Sequence, residues 1–151
     1  MSEGKIRWLQ VNGVNIVPHG VSHSALCIYS GDKLLGTRYG GIYQNTPYGK
    51  GGSLTENEVL SQLLESKKAL EAIGIKHIEE FVLPYGLYNR EILEINRKMS
   101  IYKHLSTCDE YLDSGELLRP RFLITNDLSV ELTIDRIMKL KPREGKIHVK
   151  I

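Results

Sequence analysis

Two histidines four residues apart are the first feature with chemical content. They stand in Val14-Asn15-Ile16-Val17-Pro18-His19-Gly20-Val21-Ser22-His23. Neutral imidazole is the commonest protein ligand for metals, and two imidazoles beyond the end of a strand converge on one ion if the loop between them curls. A catalytic zinc site has three protein ligands and an open position, so the pair needs a third donor. Asp32 offers a carboxylate from the glycine-rich stretch that follows, although Gly31-Asp32 also reads as a plain turn. Taken alone, two histidines at this spacing are also an ordinary surface pattern. His77 and His104 read as surface or packing residues. A second candidate is Pro84-Tyr85-Gly86, a sharp turn directly after the apolar Phe81-Val82-Leu83.

These groups must be positioned by the elements around them. Residues 14–17 form an apolar run that predicts a buried strand ended by Pro18. A short helix is expected over 5–12, with Ile6 and Leu9 on one side and Gly13 as its stop. Residues 27–53 carry seven glycines and four tyrosines, Tyr29, Tyr39, Tyr43 and Tyr48, and predict a long loop. Thr55-Glu56-Asn57-Glu58 is a capping box, with Ser53 and Glu56 as an alternative frame. The helix it opens carries Val59, Leu63, Leu70 and Ile73 at helical spacing and stops at Gly74. A strand is expected over 81–83. Asn89 then caps a helix to Met99 whose inner face is Ile92, Ile95 and Met99. Further strands are expected over 101–105, 121–125 and 146–151. Asn126 and Asp127 offer caps for a helix ending near Leu140.

Alternating strands and helices with no fixed repeat predict an α/β fold with mostly parallel strands. Such folds carry their sites at the carboxyl ends of the strands. His19-His23 and Pro84-Tyr85-Gly86 both lie at such ends, so they are expected to meet although about 60 residues separate them.

The 151 residues predict one domain over 1–151. A hydrophobic content of 41%, a charged content of 25% and a formal charge of +2 are ordinary for a globular protein. No basic stripe interleaved with aromatics is present, which sets nucleic acid aside. No apolar run is long enough to span a membrane. The first residues lack a signal-peptide core, which as written predicts a cytoplasmic chain. Cys27 and Cys108 lie far apart and read as thiols, with a disulfide as the alternative.

The residues themselves carry a resemblance. Gly13-Val14-Asn15-Ile16 leading into His19-Gly20-Val21-Ser22-His23 resembles the His-x-x-x-His motif of the polysaccharide deacetylases, carbohydrate esterase family 4. The helix opening at Leu54-Thr55-Glu56 is similar to that family's next helix. Phe81-Val82-Leu83-Pro84-Tyr85-Gly86 resembles its Pro-Tyr-Gly motif. Pro120-Arg121-Phe122 with Asn126-Asp127-Leu128-Ser129 is similar to the closing strand and helix of the branch acting on exopolysaccharide glucosamine.

The resemblance implies an incomplete or distorted β/α barrel and a divalent metal, usually zinc. His19 and His23 would be metal ligands. The backbone N–H of Tyr85 would stabilise the oxyanion, and Pro84, Tyr85, Tyr39, Tyr43 and Tyr48 would line the sugar. The ligand implied is a glycan with N-acetylated amino sugars, and family members are often extracytoplasmic. The family's Thr-Phe-Asp-Asp motif, which supplies the base and the third metal ligand, does not occur in this sequence, and no Asp-Asp pair occurs at all. Its usual Arg before Pro-Tyr is replaced by Val82-Leu83. Its late Leu-x-x-His is matched poorly by His148. Two functions follow as expectations. One is a metal-dependent deacetylase. The other is a non-catalytic member, truncated or encoded by a split gene, that binds glycan or a protein partner. An uncovered first strand edge further suggests a complementing N-terminal segment or a second copy of the chain.

Overall fold

A computed structural model describes residues 1–24, 26, 54–108, 117–121 and 129–140. The fold is mixed α/β. Its elements are helix α1 (Glu3–Val11), helix α2 (Glu56–Ala72), strand β1 (Glu80–Val82), a 3-10 turn (Pro84–Gly86), helix α3 (Arg90–Met99), strand β2 (His104–Ser106), strand β3 (Leu118–Arg119) and helix α4 (Val130–Met138). The three strands form one parallel sheet in the order β1-β2-β3.

The capping box at Thr55 forms as the sequence predicts. The Glu58 N–H donates to Thr55 Oγ1 at 3.3 Å, and Thr55 N–H donates to Glu58 Oε2 at 2.6 Å. Both satisfy amides that a helix start leaves unpaired. Val59, Leu63 and Ser66 then bury one face of α2. Asn89 caps α3 by accepting from the Ile92 N–H at 3.2 Å.

The core joins α2, α3 and the sheet through Val59, Leu63, Phe81, Leu83, Tyr88, Ile92 and Leu105, all of them fully buried. Each such side chain contributes about 1.5–3 kcal/mol relative to exposure. A polar brace crosses the sheet beside this core. Ser106 on β2 donates its hydroxyl to Glu80 on β1, and Arg119 on β3 donates to the other oxygen of Glu80 at 3.4 Å.

Several expectations need correction. Residues 14–17 are not a strand. Val14 is exposed, and the one backbone bond joining this stretch to β1 runs from Val82 N–H to the Pro18 carbonyl. The Val82 carbonyl, which would continue a ladder, is taken instead by the His19 side chain. Met99 is 49% exposed and lies off the inner face of α3, where Leu93 and Asn96 are buried instead. The chain leaves α3 at Ser100 in a left-handed conformation, and Asn96 turns inward to bind Tyr102. The second strand is His104–Ser106 rather than 101–105. A strand not expected from the sequence, Leu118–Arg119, precedes the one expected over 121–125, of which Arg121 alone is among the described residues. Helix α4 is capped by Ser129, whose Oγ accepts from Leu132 N–H at 3.2 Å. Asn126, Asp127, the long loop over 27–53, the strand expected over 146–151 and His148 lie outside the described residues.

Candidate metal centre

The two histidines come together at the open end of β1. Their ring centres are 4.6 Å apart in an edge-to-face arrangement. The His23 ring in turn meets the Tyr85 ring at 4.7 Å, again edge to face. Sequence positions 19, 23 and 85 thus share one small volume, although no strand precedes the histidines and bonds to Val82 bring them to the end of β1 instead.

Backbone bonds hold this cluster. Pro18 is tied to Val82 through its carbonyl, and one residue later His19 Nδ1 lies 2.8 Å from the Val82 carbonyl. A carbonyl only accepts, so Nδ1 carries the proton and Nε2 presents its lone pair. Metal-binding histidines commonly donate their other ring N–H to a carbonyl in this way, which fixes the tautomer and the ring orientation. Burial pushes the His19 imidazole below its ordinary pKa. The Val82 carbonyl works the other way, and the charges of His23 and Arg121 reinforce the lowering. The neutral form needed for coordination is therefore favoured.

The loop between the histidines turns tightly. Gly20 has φ +83°, and a side chain there would be strained. His23 itself has φ 53°, and Tyr85 has φ 58°. Left-handed backbone at a non-glycine residue costs on the order of 1–3 kcal/mol and clusters at functional sites. Both residues of the ring contact carry it. Pro84 is buried, with its Cγ 3.7 Å from where a Gly20 side chain would begin, so the turn after β1 packs against the histidine loop.

Two imidazoles sharing one zinc through Zn–N bonds of ~2.0–2.1 Å have ring centres about 5 Å apart, close to the separation found here. The ring separation is compatible with two ligands of one ion and is equally that of an ordinary edge-to-face contact. Among the described residues, no group of three or more His, Cys, Asp or Glu side chains stands together in a way that could hold a metal ion. Asp32, Tyr39, Tyr43 and Tyr48 lie outside the described residues. His77 is exposed, and His104 is buried in β2.

The geometry adds residues that sequence reasoning passed over. Gln62 on α2 accepts from two amides of the histidine loop. Arg121 donates to the Thr107 carbonyl and approaches Cys108 Sγ at 3.6 Å, at the end of β2 next to the Pro-Tyr-Gly turn. Neither position is marked by any spacing in the sequence.

A family model described as polysaccharide deacetylase matches residues 2–104. The chain belongs to the polysaccharide deacetylase family. The matched span holds α1, the histidine pair, α2, β1, the Pro-Tyr-Gly turn and α3, and ends at the first residue of β2. The small parallel sheet with its helices is consistent with an incomplete barrel of the deacetylase type. No curated protein and no solved structure matches the chain. Among the described residues, no helix of this deacetylase domain is long and apolar enough to cross a membrane.

Proposed function

We propose that this domain is a metal-dependent deacetylase for N-acetylated amino sugars in polysaccharide, of the branch acting on exopolysaccharide glucosamine. The observation that carries the reading is the meeting of the two imidazoles, the His19 ring beside the His23 ring with Nδ1 of His19 turned to the Val82 carbonyl. His19 and His23 would hold a divalent metal, zinc in the first instance. When bound, such an ion polarises an acetamide carbonyl and activates water for hydrolysis of the carbon–nitrogen bond. The third ligand and the base would come from outside the described residues, Asp32 included, or from a neighbouring chain.

The protein's own contributions follow from the geometry. His23 is exposed, so the pair is reachable from solvent. Tyr85 stands in a left-handed turn with its ring against His23, and its N–H is proposed to stabilise the developing oxyanion. Pro84 frames that turn. Tyr85, Tyr39, Tyr43 and Tyr48 are proposed to stack on sugar faces.

The test is acetate release from acetylated chitooligosaccharides with added zinc or cobalt, run beside the metal content of the purified protein. Acetate release that His19→Ala abolishes supports the reading. A folded protein that takes up no metal and releases no acetate overturns it in favour of a non-catalytic member that binds glycan or a protein partner.

A further inference from the structure

Among the described residues, no backbone bond within the histidine loop closes its turn, and two of its amides are satisfied from another element. Val21 N–H donates to Gln62 Oε1 at 2.9 Å, and Ser22 N–H donates to the same oxygen at 3.1 Å. Two consecutive amides converging on one acceptor fix both peptide planes, and so fix the direction in which the chain arrives at His23. That arrival is the left-handed residue whose ring meets His19 on one side and Tyr85 on the other.

Gln62 is well placed for this role. It is half-buried on α2, next to the fully buried Leu63 and three residues after the fully buried Val59. The helix cannot rotate without disturbing the core. The fit on the loop side is equally close, because a side chain at Gly20 would begin 3.5 Å from the same Gln62 oxygen. The loop is held between α2 and the Pro-Tyr-Gly turn, and Gln62 supplies the polar half of that clamp.

We propose that Gln62 is a positioning residue that sets the geometry of the His19–His23 pair for metal binding. The proposal rests on the reading of that pair as metal ligands. Gln62 does not itself touch the ion. It acts by holding the Val21 and Ser22 amides, without which the left-handed His23 would relax toward ordinary backbone and carry its ring away from His19.

The experiment is a cobalt(II) titration of the full chain, followed by visible absorption, for wild type, Gln62→Met, Gln62→Glu and His19→Ala. Thermal unfolding of the metal-free proteins is measured in parallel. Gln62→Met keeps length and volume but removes the acceptor. Gln62→Glu keeps an oxygen for both amides. The expected result is an affinity about 10–100-fold weaker for Gln62→Met, the range found when a supporting partner of a ligand is lost. Binding by Gln62→Glu should equal or exceed that of wild type, with an unchanged cobalt spectrum. Such rescue by the carboxylate would not follow from a purely structural loss. Should Gln62→Met not fold, Gln62→Asn, which withdraws the amide by one methylene, is to show the same weakening. Wild-type binding in a folded Gln62→Met variant overturns the role of Gln62 and leaves the metal reading standing. Wild-type protein that binds no cobalt, or binds it equally after His19→Ala, overturns the metal reading and this inference with it.

Discussion

His19 Nδ1 and the carbonyl of Val82 stand 2.8 Å apart, and with the bond from Val82 N–H to the Pro18 carbonyl this ties the histidine loop to the end of β1. The His19 bond uses an acceptor that a neighbouring strand would otherwise use. The stretch before His19 therefore stays out of the sheet, while its first histidine is oriented as firmly as a strand residue. Removing the imidazole should cost the site its metal. His19→Ala is expected to weaken zinc binding by more than about 100-fold, beyond the range seen for supporting partners alone. Isothermal titration of the two proteins checks this.

Gly86 is the tightest packed point near the site. Its φ is +66°, and an added side chain would begin 2.6 Å from the Cβ and backbone N of Cys108. Backbone strain and overpacking act together, so Gly86→Ala is expected to lose about 2–5 kcal/mol of stability. Urea unfolding measures it. A loss under about 1 kcal/mol would mean that the turn and the end of β2 separate easily.

Asn96 replaces two ladder bonds after α3. Its Nδ2 donates to the Tyr102 carbonyl at 2.8 Å, and its Oδ1 accepts from the Tyr102 N–H at 3.0 Å. The side chain is fully buried. Asn96→Leu strands both Tyr102 groups away from water and is expected to cost about 2–4 kcal/mol, read from the midpoint of denaturant unfolding.

The cap of α2 should give the protein an acid-sensitive helix. Bonds from the Thr55 amide and hydroxyl hold the Glu58 carboxyl below its ordinary pKa. A folded pKa below the unfolded one means that the unfolded chain binds more protons. The contribution is therefore present above the unfolded pKa and fades as pH falls through the folded one. The expected outcome is a melting temperature that drops more in acid for wild type than for Glu58→Gln. Parallel curves for the two proteins would refute it.

The local features were legible because their causes are local. The capping box at Thr55, the cap at Asn89 and the Pro-Tyr-Gly turn depend on residues within three positions of the backbone they serve. The meeting of His19, His23 and Tyr85 was expected from two strand ends, but only Tyr85 follows a strand, and the histidines reach it through the bonds of Pro18 and His19 to Val82. What escaped depends on partners distant in sequence. Residues 14–17 look like a strand until the His19 side chain takes the Val82 acceptor. Met99 continues an apolar spacing, yet Asn96 takes the inward position because Tyr102 needs its amide. Gln62 is one polar residue on a helix, and nothing near it in sequence announces a bond to a loop 40 residues earlier.

The brace at Glu80 has a consequence for how the sheet finds its alignment. Strands of two or three residues have too few ladder bonds to make one offset much better than the next. Glu80 meets Ser106 with one oxygen and Arg119 with the other, so a single carboxylate on β1 gauges the offset of β2 beside it and of β3 beyond. A slip of either strand would leave a half-buried charge without its partner, and the sheet has one setting in which that does not happen.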